Sequence, residues 1–140
     1  MVGRRSGPRA GRLLEADLER EFAQRMASIG AFYKKLHGSL YQRYLPDRYV
    51  AHRRWAGWLE LKAGDNDLSD KQRDTARKLV EARVPFFVVA QRTQSAVLVE
   101  DVDQGVLMSW PGGLPHGITI LDHLASLSSE CYPFSQYCGF

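Results

Sequence analysis

The sequence predicts an α/β domain in which helices flank a mixed central sheet. Three observations support this prediction. Apolar residues recur at helical spacing in some segments and form strand-like runs in others. One succession of strand, helix and strand ends in a continuous apolar run. A chain of 140 residues that is 44% apolar is also long enough to form one buried core. We therefore expect a single globular domain with one functional site.

The predicted elements begin after a basic arm. Residues 1–12 hold four arginines among glycines and a proline and have almost nothing to bury, so we expect this arm to be disordered. In residues 13–29 apolar side chains recur every three or four positions, which predicts a helix that Gly30 ends. Residues 31–36 favour a short strand because they contain two adjacent aromatic residues. Residues 37–45 should then form a loop.

Two strands should next form a hairpin. The segments 48–52 and 55–62 have strand-like composition, and only the Arg53–Arg54 pair separates them, so a hairpin is the economical arrangement. A turn at these two residues would place Asp47 directly opposite Glu60. A bulge in either strand would shift that pairing.

The second half of the chain continues the alternation. Residues 63–68 should form a loop, after which Ser69 and the three residues that follow it resemble a capping box that opens a helix to about Arg83. The apolar run 84–90 then predicts a buried strand, which gives the order strand, helix, strand. Weaker patterns predict three more elements, namely strands over residues 97–102 and 105–110 and a final helix over residues 118–127.

Charge is distributed unevenly along the chain. Residues 1–62 contain 13 Lys and Arg against 6 Asp and Glu, whereas residues 63–140 contain 6 against 10, within a formal net charge of +3. A basic half favours an anionic partner, most commonly a phosphate backbone, because bound Lys and Arg release condensed counterions. An ordinary solvated surface with a basic tail explains the same numbers, so charge alone leaves both interpretations open.

Membrane and secretory segments are not expected. No apolar stretch approaches the roughly 18 residues of a membrane span, and residues 1–12 lack the apolar centre of a signal peptide. We therefore expect a cytoplasmic protein with no membrane partner. Reduced thiols are favoured, because Cys131 and Cys138 both lie near the C-terminus and cannot cross-link the main body of the fold. Together with His116 and His123, these cysteines match none of the compact zinc spacings.

The predicted hairpin brings together residue types that bind a hard cation. Side chains alternate across a strand, so Leu59 and Leu61 face one side while Glu60 and Lys62 share the other. Asp47 would lie about 5 Å from Glu60, Cβ to Cβ. Two carboxylates at that distance repel each other unless a cation neutralises them, and their hard oxygens select Mg²⁺ or Mn²⁺. Lys62 could then orient an attacking water or stabilise charge on a phosphate.

These residues resemble the PD-(D/E)xK nuclease motif. Pro46 and Asp47 form its first part, and after twelve residues Glu60, Leu61 and Lys62 complete it. More narrowly, residues 14–90 resemble the VRR-NUC family. The further matches, in chain order, are Glu15, residues 30–34, Arg48 after the Pro-Asp step, and Leu68, Ser69 and Gln72 ahead of residues 84–89. Family members usually have glycine shortly before the Pro-Asp step, where this chain has Tyr44 and Leu45.

The resemblance implies a restriction-endonuclease-like core, with a mixed sheet of four central strands flanked by helices. This core would span residues 13–90, and residues 91–140 would form a C-terminal extension packed on the same domain. The resemblance also implies a role for each site residue: Asp47, Glu60 and Glu15 would bind the metal, Lys62 would be the catalytic lysine, and Gln72 would help to shape the site.

Each of the last assignments has a structural alternative. Glu15 lies in the first turn of a helix, where the macrodipole favours a negative charge. Gln72 stands three residues after Ser69 and also fits a capping box. Trp55 and Trp58 beside the hairpin fit packing better than base stacking.

Four basic residues are the candidate nucleic-acid contacts. Arg53 and Arg54 at the predicted turn are well placed for phosphates, although a solvated turn explains them nearly as well. Lys34 equally fits a solvated lysine at a strand end. Arg48 follows directly after the Pro-Asp step.

The predicted function is a Mg²⁺- or Mn²⁺-dependent DNA endonuclease. Resemblance to stand-alone VRR-NUC proteins implies branched DNA, such as a four-way junction, as the substrate and a homodimer as the assembly, since two symmetric cuts need two active sites. A DNA-binding or assembly module that keeps the fold without turnover is the alternative. A third interpretation is a small α/β protein whose basic arm binds acidic partners non-specifically.

Overall fold

The protein folds into a six-stranded mixed sheet with three helices, and this confirms the predicted α/β class. The computed structural model describes residues 15–36 and 44–132, so the arm over residues 1–12, most of the loop over residues 37–45, and Cys138 lie outside the described residues. The elements are α1 (Glu15–Ala27), β1 (Phe32–Lys35), β2 (Arg48–His52), β3 (Trp55–Ala63), α2 (Asp70–Glu81), β4 (Phe86–Thr93), β5 (Ala96–Glu100), β6 (Val106–Pro111) and α3 (Gly117–Cys131).

The strands follow one another in the sheet as they do in the chain. Neighbours pair in antiparallel fashion except β3 and β4, which pair in parallel. A parallel pair needs a crossover connection, and α2 provides it between Ala63 and Phe86. The predicted strand–helix–strand unit is therefore confirmed.

The β2–β3 hairpin has the register that the sequence predicts. Arg48 lies opposite Leu59 and His52 lies opposite Trp55, which leaves Arg53 and Arg54 as the turn. Because a two-residue turn fixes the register, the next position along places Asp47 opposite Glu60. The backbone N–H of Asp47 donates to Oε1 of Glu60 at 3.3 Å.

Helix α1 is amphipathic as predicted, and its apolar face lies on the sheet. Leu18, Phe22 and Met26 recur every four residues and are fully or almost fully buried. Gly30 has a φ of +68°, a left-handed conformation that glycine adopts without steric cost, so the chain can turn from α1 into β1. This turn brings the start of α1 back over the strands that follow it.

The sheet carries a core on each of its faces. On one face α1 and α3 cover alternate residues of β3 and β4, including Leu59 and Phe87. On the other face α2 covers the intervening residues, including Phe86 and Val88. Trp55 is completely buried in the first core, where its Nε1 donates to Ser128 Oγ of α3 at 2.8 Å. Trp55 is therefore a packing residue.

The C-terminal strands and helix complete the same sheet and the same core. Between β5 and β6 the Asp101 carboxylate accepts hydrogen bonds from the N–H groups of Asp103 and Gly105, at 3.0 and 2.7 Å, which stabilises the turn between the two strands. Helix α3 is longer than predicted, because the buried face continues through Ser128, whose hydroxyl donates to the Leu124 carbonyl at 2.8 Å. Among the described residues, no helix is long and apolar enough to cross a membrane.

Arg92 of β4 fixes the loop that leads from β3 to α2. Its guanidinium donates to both carboxylate oxygens of Glu100, at 2.9 and 3.1 Å, to the Gly64 carbonyl at 3.1 Å and to Asp67 at 2.8 Å. Five donors in a planar fork allow one arginine to satisfy several acceptors at once. The end of β3, which carries Lys62, is therefore followed by an ordered loop.

Candidate active site

An acidic pair lies at the end of the β2–β3 hairpin that is remote from its turn. Glu60 is only 4% exposed and shares the α2 face of the sheet with Trp58 and Lys62, because Leu59 and Leu61 point into the opposite core. Asp47 lies directly opposite Glu60, and its backbone N–H donates to Glu60 Oε1. The structure thus brings Asp47, Glu60 and Lys62 together as the hairpin register requires.

The environment of Glu60 disfavours its negative charge. Burial and, as a smaller effect, the neighbouring charge of Asp47 together raise the pKa of the Glu60 carboxyl to about 7. Lys62, whose Nζ lies 3.9 Å from Glu60 Oε2, and the Asp47 N–H act in the opposite direction but do not cancel these effects. Without a bound cation, Glu60 therefore keeps its proton to a higher pH than an exposed carboxyl group does.

Asp47 has one satisfied and one unsatisfied carboxylate oxygen. Its Oδ2 accepts an ion-pair contact from Nη1 of Arg48 at 2.7 Å. Its Oδ1 is buried and has no hydrogen-bond partner within the described part of the chain. A buried, unpaired carboxylate oxygen is costly, and a cation is the ligand that its charge fits best.

Lys62 and Glu15 approach the pair from two different elements. The Lys62 side chain is 13% exposed and therefore lies largely within the protein. Burial raises the pKa of the Glu15 carboxyl, Lys62 lowers it, and Glu19 and Asp47 raise it again. Glu15 is therefore close enough to Lys62 and Asp47 for their charges to act on it, although it lies in α1.

The carboxylates do not form a three-residue ligand set. Within residues 15–36 and 44–132, no three acidic, histidine or cysteine side chains converge closely enough to hold a metal ion together. The expectation that Glu15 is a third metal ligand therefore stays a prediction. Asp47 and Glu60 still fit Mg²⁺, because proteins commonly bind Mg²⁺ through one or two carboxylates while water and phosphate oxygens complete its coordination.

Gln72 is engaged in capping α2. Its Oε1 accepts from the Ser69 N–H at 2.9 Å, and its own N–H donates to Ser69 Oγ at 3.2 Å, so both halves of the capping box are present. These bonds satisfy two backbone donors at the helix start. The structural alternative for Gln72 is confirmed, and its expected role in shaping the site has no contact to support it.

The four predicted nucleic-acid contacts do not form one surface. Arg48 is 2% exposed and its guanidinium is already paired with Asp47 and Glu19, an arrangement that does not favour the predicted phosphate contact. Arg54 is exposed and pairs with Asp122 of α3 at 3.0 Å. Arg53 at the turn and Lys34 on β1 are exposed. The turn is about 20 Å from Glu60 along the strand, at about 3.3 Å per residue.

Three contacts near the site were not predicted from the sequence. Glu19 pairs with Arg48 and lies 3.8 Å from Nζ of Lys35. Lys71 Nζ lies 5.1 Å from the centre of the Tyr44 ring, which joins the chain just before Asp47 to the first turn of α2. Glu15 and Glu19 are one helical turn apart, so their spacing places Glu19 on the same face of the helix as the candidate site residue Glu15. No other sequence pattern points to these contacts.

The fold and the site together define an α/β protein in which one hairpin presents a carboxylate pair and a lysine on a face of a mixed sheet. A scan of this chain against protein-family models finds no match, and a search of curated proteins finds no significantly similar protein. The resemblance to the VRR-NUC family therefore rests on the motif residues themselves.

Proposed function

We propose that this protein is a Mg²⁺- or Mn²⁺-dependent nuclease that hydrolyses phosphodiester bonds in DNA. The observation that supports the proposal most directly is the unsatisfied Oδ1 of Asp47 beside a buried Glu60 whose pKa is about 7. Both features are costly in a protein that binds nothing there, and a divalent cation removes both costs. Lys62 on the same face adds the third component of the motif.

Each side chain would have a distinct task in the reaction. Hydrolysis joins a water oxygen to phosphorus, breaks the bond from phosphorus to a sugar oxygen, and transfers a proton to that leaving oxygen. A divalent cation held by Asp47 and Glu60 would acidify the water and neutralise charge on the phosphate. Lys62 would hydrogen-bond the attacking water or a non-bridging phosphate oxygen, and its low exposure strengthens that interaction.

The substrate and the assembly are proposals that rest on the family resemblance, and the location is a separate proposal. Branched DNA such as a four-way junction is the proposed substrate, and a homodimer in the cytoplasm is the proposed form of the enzyme. The basic first half of the chain supports a polyanionic substrate. The exposed Arg53, Arg54 and Lys34 are the candidates for phosphate contacts in the described structure.

A cleavage assay tests the proposal. The protein is incubated with a four-way junction, single-stranded DNA and linear duplex DNA, each with Mg²⁺, with Mn²⁺ or with a chelator. We expect cleavage with either metal and none with the chelator. Glu60→Ala and Lys62→Ala should each lower the rate at least about 100-fold while DNA binding persists.

Matched controls come from the exposed face of α2. Glu81→Ala and Lys78→Ala make the same changes at exposed positions and should leave the rate within about twofold of wild type. Tight DNA binding without cleavage of any substrate, with either metal, would overturn the proposal and favour a DNA-binding or assembly module instead.

A further inference from the structure

Arg48 is the least exposed charged side chain in the described part of the protein, at 2%. Its Nη1 contacts Asp47 twice, at 2.7 Å from Oδ2 and at 3.3 Å from the backbone carbonyl. Its Nη2 forms a close ion pair with Oε1 of Glu19 on α1. Burying a guanidinium is costly unless it is paired and hydrogen-bonded, so this arrangement demands a set of matched partners.

We propose that Arg48 and Glu19 form a positioning pair for the candidate metal site, in which Arg48 orients the Asp47 carboxylate and Glu19 holds α1 beside it. The inference rests on the proposed function, because it assumes that Asp47 and Glu60 bind a divalent cation. Neither residue would touch the metal or the substrate.

Arg48 restricts the rotation of the Asp47 side chain. Arg48 Nη1 contacts one carboxylate oxygen and the backbone carbonyl of Asp47, which ties the carboxylate to the backbone of its own residue. With Oδ2 occupied, Oδ1 is the oxygen left for a cation. A ligand whose orientation is fixed by a neighbouring group binds a metal more tightly than one that must be ordered on binding.

Glu19 holds α1 against the edge of the sheet. Glu15 and Glu19 are one turn apart and share a face of the helix. Glu19 contacts Arg48 of β2 and lies 3.8 Å from Lys35 of β1, so it fastens α1 to both strands at this edge of the sheet. This contact holds the first half of α1, which carries Glu15, against β1 and β2.

A pair that served only the stability of the fold would have different consequences. Its loss would lower the melting temperature but would leave the metal affinity of the folded protein unchanged. A positioning pair affects the affinity itself. The measurement must therefore report metal binding in folded protein, apart from turnover.

Isothermal titration calorimetry with Mn²⁺, in the absence of DNA, tests the proposal in four variants. Glu19→Gln and Arg48→Lys alter the pair, and the double variant combines the two changes. Asp122→Asn is the matched control, because it removes an exposed ion pair between α3 and the hairpin turn. Glu19 is 27% exposed, so Glu19→Gln should fold even if Arg48→Lys does not.

We expect the dissociation constant for Mn²⁺ to rise roughly tenfold in Glu19→Gln and in Arg48→Lys, and to be unchanged in Asp122→Asn. The double variant should lose little more than either single variant, because the two residues act as one unit. Wild-type affinity in a folded Glu19→Gln, with only a lower melting temperature, would overturn the inference. The wild-type protein separates the two hypotheses: Mn²⁺ binding without any DNA cleavage sinks the proposed function and leaves the inference testable, whereas no Mn²⁺ binding sinks both.

Discussion

The fold buries the Glu60 carboxyl group in an environment that disfavours its charged form. It lies between two leucines that pack in one core and faces the side of the sheet that α2 covers. Burial and the charge of Asp47 raise its pKa from 4.5 to about 7. The folded protein without metal therefore binds a proton at Glu60 more tightly than the unfolded chain does, which couples stability to pH.

The sign of this coupling gives a prediction for the metal-free protein. The favourable contribution of protonated Glu60 is complete below pH 4.5 and is lost as the pH rises to about 7. In the presence of a chelator, this group should lower the free energy of unfolding by about 3 kcal/mol across that window. Urea unfolding at several pH values measures the change.

Two substitutions distinguish Glu60 from other carboxyl groups in that experiment. Glu60→Gln should show a flatter dependence on pH and should be more stable than wild type at pH 8, although it is expected to be inactive. Glu81→Gln, at an exposed position of α2, should follow the wild-type curve. Parallel curves for Glu60→Gln and wild type would show that Glu60 titrates normally.

At the scale of single residues, the sequence predicts which side chains share a face of the hairpin better than it predicts how deeply each side chain is buried. The Arg53–Arg54 turn and the alternation of β3 are local properties, so they place Asp47, Glu60 and Lys62 correctly. The burial of Arg48 depends on α1, which is far from it in the chain and reaches it only through the packing of the core. No local pattern contains that information, so the sequence does not predict that Arg48 is buried.

At the scale of elements, the start of α2 gives a prediction that separates capping from catalysis. Ser69 and Gln72 form a complete capping box. Ser69→Ala and Gln72→Ala should therefore each lower the free energy of unfolding by about 1 kcal/mol and change the rate of DNA cleavage less than about twofold. Denaturant unfolding and the cleavage assay on the same preparations measure both effects.

Gln24→Ala is the control for the capping box, because Gln24 is an exposed residue in the middle of α1. It should leave stability within about 0.5 kcal/mol of wild type. A large loss of cleavage in Gln72→Ala with unchanged stability would contradict the capping role and restore Gln72 to the site.

The boundaries of elements show why periodicity is only a partial guide. The helix over residues 13–29 and the strands of the hairpin were predicted closely, because their apolar spacing is regular. Helix α3 was predicted too short because its buried face includes Ser128, a polar residue that an apolar pattern omits. Ser128 is acceptable there because Trp55 and the Leu124 carbonyl satisfy its hydroxyl.

At the scale of the whole molecule, the uneven charge gives a prediction for DNA affinity. Residues 1–12 contribute four arginines to the basic half of the chain. Deleting them should lower the slope of log affinity against log salt concentration by up to about 3–4, because each phosphate contact contributes about 0.9. The rate of cleavage at saturating DNA should be unchanged, since the candidate site lies within the described fold.

A full-length variant with the four arginines replaced by glutamine separates charge from chain length. It should match the deletion in a fluorescence anisotropy titration at several salt concentrations. An unchanged slope in both proteins would show that the arm does not contact DNA. Loss of all DNA affinity would leave the proposed site without a substrate and favour non-specific binding by the arm.

Because each strand pairs only with its neighbours in the chain, the two halves of the acidic pair can meet early in folding. The β2–β3 hairpin closes across two residues, and hairpins form in about 1–10 μs. The parallel β3–β4 pairing joins segments that the α2 crossover separates in the chain, so we expect it to form after the hairpin and to bury Glu60 at that later step. In this order of events Asp47 and Glu60 first meet in water, where their repulsion is weak, and the cost of burying them falls on the step that closes the sheet.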